Sequence, residues 1–290
     1  MGHTKKKLVR VDIIGPGAVG TMIGYYLQGI GAEVGFIGRQ GAQEYKTTVD
    51  DGSGPVRLSF SKLDSKPDLI IVAVKSYQVE SVLKTWGTEF KQTTTVIISN
   101  GILDEVVRQF GLESSIALGT TNIGVKLVDD GLWRVFNNNG QLVWGSESRS
   151  RSMVETEIVK ALSHKGFSYE KKAKVTRQEK WLFNTVINSL CAIHKLASNG
   201  DLLSREVELT GLFNDAYSLG TEIFGKWALD KDPLWQKLIQ LIQSTKGNEN
   251  SMARDIRLGR PTENEFLSGL VNKSEADYPV LREIYKKLSL

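Results

Sequence analysis

Hydrophobic spacing changes character once along this 290-residue chain. Up to about Lys174, short β-branched runs alternate with helical stretches; from about Val175, long 3.6-residue periods continue to the C-terminus. In the first region Val11–Ile14 is an apolar run that stops abruptly in glycines. Thr21–Gly29 then keeps Met22, Ile23, Tyr25, Tyr26 and Leu27 on a helical period, and Glu33–Ile37 reads as strand again. Val56–Phe60 alternates, whereas Asp68–Lys75 is apolar on both faces, as a central parallel strand should be. Val79–Phe90 and Asp104–Phe110 predict helices, and Thr94–Ser99 and Ile116–Thr121 predict strands. Trp133–Phe136 and Gln141–Trp144, joined by Asn137-Asn138-Asn139-Gly140, are predicted to form a hairpin that closes the sheet antiparallel. A helix over Met153–His164, a strand at Phe167–Tyr169 and a lysine-rich linker at Lys171, Lys172 and Lys174 follow.

Between the first strand and the first helix stands Gly15-Pro16-Gly17-Ala18-Val19-Gly20, three glycines at G-x-G-x-x-G spacing. Strand, glycine turn, helix and strand within about 30 residues make a dinucleotide-binding unit, with the pyrophosphate on the free N–H groups of the helix start. Gly15, Gly17, Ala18, Val19 and Gly20 would form that cradle. An NAD-type acidic residue is expected at the end of the second strand, but Gly38-Arg39-Gln40 stands there. A guanidinium at Arg39 can hold a 2′-phosphate, which points to NADP(H) over NAD(H); an ordinary solvated arginine is the alternative.

Lys75 and Gln78 follow the carboxyl end of a buried strand, the edge where open α/β sheets bind ligands. Lys75 could equally be a solvated residue at the start of the next helix. Asn100-Gly101 follows another strand at the same edge, either as a turn or as an amide brought to nicotinamide and substrate. The pattern predicts an α/β protein: an N-terminal Rossmann-type doubly wound sheet over residues 1–172, then a C-terminal all-α helical domain over residues 173–290.

In the helical region Lys180, Asn184 and Asn188 are four apart and share one face of a helix that is otherwise apolar (Trp181, Leu182, Phe183, Val186, Ile187, Leu190). A lysine and two amides on a buried stripe need partners. Either the stripe faces a cleft and meets substrate, or the amides bond between helices while Lys180 reaches out to water. Further on, Asn248, Ser251, Arg254, Asp255 and Arg257 make a polar stretch. Thr262-Glu263-Asn264-Glu265 reads as a capping box, with Glu263 in the first helical turn, where the helix dipole alone would explain it.

A formal net charge of +4, from 37 basic and 33 acidic residues, gives no reason to expect a nucleic-acid partner. Part of that excess is Lys5-Lys6-Lys7, which with Met1-Gly2-His3 reads as a frayed end. No apolar run has membrane-spanning length and the N-terminus lacks a signal-peptide core, so no membrane association is expected. The single cysteine, Cys191, lies among apolar neighbours and fits a buried residue in a reducing cytoplasm. His3, His164 and His194 have no metal-ligand spacing, so no metal is expected.

Taken together, the motifs resemble those of the ketopantoate reductase family. The resemblance covers nearly the whole chain: Gly15–Gly20, Val74-Lys75, Ser99-Asn100-Gly101, Gly119-Thr120-Thr121, the run Lys180 to Asn188, Asn199 to Leu202, and Ser251 to Arg257 through Thr262-Glu263. It implies NADPH-dependent reduction of a small 2-oxo acid, ketopantoate, with Lys180 as general acid and Glu263 as the assisting carboxylate. Asn100, Asn184, Asn188, Asn248 and Ser251, with Lys180 and Glu263, match the substrate positions. Arg39 and Lys75 match cofactor positions, and Gln78, Asn100 and Thr120 complete the expected cofactor set. A relative reducing another branched or aromatic 2-oxo acid, and a non-catalytic nucleotide sensor, are the alternatives, and a homodimer is left open. The chain departs from the family pattern in a shorter connection from Leu270 through Asp277-Tyr278-Pro279 to the last helix.

Overall fold

The computed structural model describes residues 9–38, 41–60, 66–129, 131–136 and 140–289. The chain divides into two compact units, one of Met1–Ser99 with Leu103–Lys174, the other of Asn100–Ile102 with Val175–Leu290. The first contains β1 (Arg10–Ile14), α1 (Ala18–Gly29), β2 (Glu33–Gly38), β3 (Gly41–Gln43), β4 (Tyr45–Asp50), β5 (Val56–Phe60), β6 (Leu69–Val72), α2 (Ser76–Gln92), β7 (Thr94–Ile98), α3 (Asp104–Gln109), β8 (Ile116–Thr121), β9 (Gly124–Asp129), β10 (Leu132–Phe136), β11 (Leu142–Gly145), α4 (Met153–Leu162) and β12 (Phe167–Tyr169).

The main sheet runs β12-β11-β8-β7-β6-β1-β2-β3. Its centre, β2-β1-β6-β7-β8, is parallel, and β11 closes it antiparallel to β8. The chain leaves β1 toward β2 and later returns to β6 on the other side of β1. This puts the reversal of strand order between β1 and β6, where doubly wound sheets open a ligand crevice. The predicted strand Asp68–Lys75 is shorter than expected: Ala73 to Lys75 already leave the sheet.

The predicted hairpin between Trp133–Phe136 and Gln141–Trp144 is not formed. β10 pairs instead with β9 and β4 in a second sheet, β5-β4-β10-β9, while β11 belongs to the main sheet. The competing signal is Asp130-Gly131, a dipeptide that favours tight hairpins and lies between β9 and β10. Asn137 to Asn139, the turn assumed for that hairpin, lie outside the described residues. The second sheet explains why α1 is apolar nearly all round: it packs on β1 and β2 and also on β4, β9 and β10. Met22, Ile23 and Leu27 are fully buried, each stabilising by about 1.5–3 kcal/mol. Gly24 permits the approach, because a Cβ there would lie 3.0 Å from the Phe36 ring and 3.2 Å from that of Phe60.

The second unit is helical: α5 (Ala173–Ile193), α6 (Glu206–Phe224), α7 (Lys231–Ser244), α8 (Ser251–Arg257) and α9 (Pro279–Leu288), with 3₁₀ turns at Asn199–Ser204, Asn264–Phe266 and Ser268–Lys273. Trp181, Leu182, Val186 and Leu190 of α5 share one core with Leu212, Phe213 and Leu219 of α6, Leu238 and Ile242 of α7, and Leu281 of α9. Cys191 is buried there, and desolvation pushes its thiol up to about 12, so it is inert at neutral pH. The capping box predicted at Thr262 is only half present. Thr262 Oγ1 accepts from Asn264 N (3.4 Å), but Glu265 bonds the Tyr285 hydroxyl instead, and the turn that follows is 3₁₀. Glu263 precedes that turn as its cap and does not lie in a first α-helical turn.

The short connection to α9 is closed by polar groups of α6. Asp215 Oδ2 accepts from Val280 N (2.9 Å) and Leu281 N (3.1 Å), satisfying donors that a helix start leaves open. Glu222 Oε2 accepts from Ser274 Oγ and Tyr278 OH, both at 2.7 Å, and these bonds hold its carboxyl below the usual range.

Candidate active site

In the first unit the glycine fingerprint builds a tight turn between β1 and α1. Gly15 has φ +106°, in the region that favours glycine, and its N–H donates to Ile37 O (3.0 Å). A Cβ on Gly15 would lie 2.7 Å from Ala73 O, and one on Gly20 would lie 2.1 Å from Gly15 O. Both glycines are therefore required by packing. Gly17 differs, since a Cβ there would meet nothing within 4 Å. It is the N-cap of α1, no side chain caps that helix, and no acidic residue sits in its first turn. Ala18 and Val19 are the first two helical residues, so α1 starts earlier than the predicted Thr21. An open approach to uncapped N–H groups at a helix start fits a pyrophosphate.

Around this turn, Lys75 is the N-cap of α2, and Gln78 Oε1 accepts its N–H (3.3 Å). Gln78 thus secures the helix start. Ser99 Oγ bonds Val74 O (3.1 Å) and tethers the ends of β6 and β7 to each other. Thr120 is buried in β8, paired with Val143 of β11. Arg39, the residue expected at a 2′-phosphate, lies outside the described residues.

The second unit brings four of the expected residues together. Asn100 Nδ2 donates to Glu263 Oε2 (2.8 Å), and its Oδ1 accepts from Asn184 Nδ2 (3.4 Å). Glu263 is 5% exposed. Lys180 lies one turn before Asn184 on α5, and desolvation lowers its amine from 10.5 to about 8, against the opposing charge of Glu263. Lys180 itself is half-buried.

Neighbours that the sequence did not single out hold this group in register. Trp181 Nε1 donates to Leu267 O (3.2 Å), tying α5 to the segment that carries Glu263. Asn264, buried next to Glu263, donates to Tyr285 O (3.4 Å) and Ser289 Oγ (3.2 Å) of the C-terminal segment. Gly101, at φ +77°, lets the Asn100 loop reach Phe266, whose Cβ would lie 2.7 Å from a Cβ on residue 101. No local pattern marks Trp181, Asn264 or Phe266, because their roles depend on contacts distant in sequence.

Asn188 is buried on the same stripe and meets Asn250 (2.8 Å). Asn248, shortly before α8, and Ser251, its first residue, are exposed, and among the described residues neither side chain bonds the group around Lys180. The assembled chemistry is a lysine whose amine is lowered by desolvation to about 8, a carboxylate held by an amide, and further amides along one helix face. Such a set can place a proton on an oxygen that gains negative charge.

Comparison with known proteins gives a consistent result along the chain. Residues 11–149 match the family model described as ketopantoate reductase PanE/ApbA, and residues 172–288 match the model for its C-terminal part. A 2-dehydropantoate 2-reductase of Pyrococcus horikoshii is 26% identical over 91% of this chain and 89% of its own. One of Vibrio cholerae is 25% identical over 97% of both chains. Among solved structures, D-mandelate dehydrogenase with NADH and anilino(oxo)acetate superimposes with a TM-score of 0.82 at 18% identity, covering 97% of both chains. The dimeric ketopantoate reductase of Staphylococcus aureus gives a TM-score of 0.79 at 20% identity, covering 97% of this chain and 98% of that one.

Proposed function

The chain belongs to the ketopantoate reductase family of nicotinamide-dependent oxidoreductases, and we propose that it uses NADPH to reduce 2-dehydropantoate (ketopantoate) to pantoate. The observation that carries this reading is geometric: Lys180 and Asn184 share one face of α5, and Asn184 bonds the Asn100–Glu263 pair; desolvation of the Lys180 amine, which lowers it to about 8, supports it. When bound, the nicotinamide supplies a hydride to the carbonyl carbon. As charge grows on the ketone oxygen, Lys180 Nζ stabilises it and gives up its proton. Glu263 keeps the ammonium charged and fixes the Asn100 amide, and Asn184 and Asn188 orient the acid. Asn248 and Ser251 would complete the substrate set from the edge of α8. Gly15, Gly17, Ala18, Val19 and Gly20 would hold the pyrophosphate, with Lys75, Gln78, Asn100 and Thr120 along the same cofactor.

A second reading has a specific observation behind it. The similarity to D-mandelate dehydrogenase, together with a connection before α9 that the sequence reads as shorter than the family pattern, supports a pocket for another branched or aromatic 2-oxo acid. NADPH oxidation by the purified protein with ketopantoate and a panel of 2-oxo acids separates the two: the acid with the highest kcat/KM names the substrate. Tight NADPH binding with no turnover of any acid would instead make the protein a nucleotide sensor.

The preference for NADPH is assigned to Arg39, whose guanidinium matches the 2′-phosphate. Arg39→Ala should raise the NADPH Kd about 10- to 100-fold, the range for losing a charge-assisted hydrogen bond. The NADH Kd should stay within about twofold; equal loss for both would remove the phosphate role. By analogy with the dimeric Staphylococcus aureus enzyme, the working assembly is a homodimer, and its compartment is the cytoplasm, in keeping with a single buried thiol.

A further inference from the structure

Asn250 was not among the residues expected to matter, yet its side chain occupies a decisive junction. It is 4% exposed and caps α8: its Oδ1 accepts from Met252 N (2.9 Å) and Ala253 N (3.3 Å). A backbone N–H only donates, so the oxygen of this amide has to face the helix start and its nitrogen has to face α5. That nitrogen donates to Asn188 Oδ1 (2.8 Å) and approaches Asn199 Oδ1 (3.4 Å). An NH₂ group has no acceptor, so Asn188 must turn its oxygen toward Asn250. Its own Nδ2 then points away from Asn250 and bonds no described protein group, although the residue is only 6% exposed. An amide nitrogen left unpaired on so enclosed a side chain is a donor that a ligand acceptor could take up.

Asn184, one turn earlier, has the opposite polarity. Asn100 donates to Glu263, so its oxygen takes the Asn184 nitrogen and leaves the Asn184 oxygen as the free acceptor. The two amides on one face of α5 are thus fixed in opposite senses by two different anchors.

We propose that Asn250 is a positioning residue that locks the amide polarity of Asn188, so that α5 presents N–H donors there to an acceptor oxygen of the substrate, its carboxylate in the case of a 2-oxo acid. This inference rests on the reduction of a 2-oxo acid proposed above. Asn250→Asp provides the test, because an aspartate caps α8 as well as asparagine does but cannot donate to Asn188. The Asn188 amide then flips to donate to the new carboxylate and turns its oxygen on the substrate. The KM for the best 2-oxo acid should rise about 10- to 100-fold, as when a hydrogen bond to a charged group is replaced by an unpaired acceptor, with kcat, the NADPH Kd and Tm nearly unchanged. Asn188→Ala should raise KM by a similar factor, and adding Asn250→Asp to it should change KM by less than about twofold, since the second substitution acts only through the first. If Asn250→Asp lowers Tm, Asn250→Ser carries the test: serine also caps but is too short to reach Asn188, and a KM rise of about threefold is expected. An unchanged KM in these variants, or additive effects in the double variant, overturns the inference while wild-type turnover upholds the functional reading. Absence of wild-type turnover with every 2-oxo acid overturns both.

Discussion

Lys180→Ala should lower kcat about 10²- to 10⁴-fold while the NADPH Kd stays within a factor of about two, because in the proposed reaction the lost group acts on the reacting oxygen and not on the cofactor. Steady-state kinetics and a fluorescence titration with NADPH separate the two quantities. Unchanged kcat would remove Lys180 as the acid. The pH profile supplies an independent check. The ammonium is the donating form, and desolvation brings its loss down to about pH 8. The kcat/KM of the wild type should therefore be level below pH 8 and fall about tenfold per unit above it. In Lys180→Arg the guanidinium stays charged throughout, so this alkaline limb should vanish even though the overall rate is lower. The same shift has a stability consequence of definite sign. The folded state binds this proton less tightly than the unfolded chain, whose lysine titrates near 10.5, so the buried charge opposes folding at neutral pH. That opposition fades as the pH rises from about 8 toward 10.5.

Gly20→Ala is the second large effect, and it should appear in both stability and binding. The new methyl would lie 2.1 Å from Gly15 O, a backbone atom with nowhere to move, and 3.2 Å from the Ile13 side chain. α1 would have to lift from β1, while the second sheet presses on it from the other side. Overpacking of this kind costs about 1–3 kcal/mol or more, and the displaced helix start would no longer meet a pyrophosphate. Thermal melting should fall by several degrees, by about 2–4 °C for each kcal/mol in a chain of this size, and NADPH affinity about 100-fold. Gly17→Ala gives the contrast, since its methyl meets nothing within 4 Å. Melting should be unchanged and only NADPH affinity lost, because the methyl fills the space the ligand needs. If both variants melt like the wild type, the packing account of Gly20 is wrong.

What could be read in advance followed the range of the interactions involved. The fingerprint between β1 and α1 is legible from its spacing alone: Gly15 and Gly20 are required by close backbone approach, and Gly17 leaves the helix start open. The stripe Lys180, Asn184, Asn188 was legible because helical periodicity alone puts these residues on one face. Non-local pairings were missed. β10 was assigned to the wrong partner because the choice between β9 and β11 is settled by α1, which needs a second sheet to cover its outer face. The start of α9 carries no cap of its own in the sequence, because the carboxylate that serves it, Asp215, belongs to α6. Asn250 escaped notice for the same reason: beside Asn248 and Ser251 it looks like one more polar residue, and only the fold reveals that it alone of the three is buried and joins α8 to α5.

The hydrogen bond from Asn100 to Glu263 spans 163 positions of the chain, and that separation sets an order of events during biosynthesis. The unit that carries the glycine fingerprint is complete in sequence by Lys174, whereas the carboxylate that meets Asn100 is added roughly 90 residues later, about 5–18 s at ordinary elongation rates. A ribosome-bound chain would therefore possess its fingerprint turn well before it could possess its Asn100–Glu263 pair. Closing so long a loop is also entropically unfavourable until the helical core has formed around α5. The Asn100–Glu263 contact should thus be among the last this protein acquires as it folds, and on the proposed reading a chain cut short before Glu263 would keep its fingerprint turn and lack turnover.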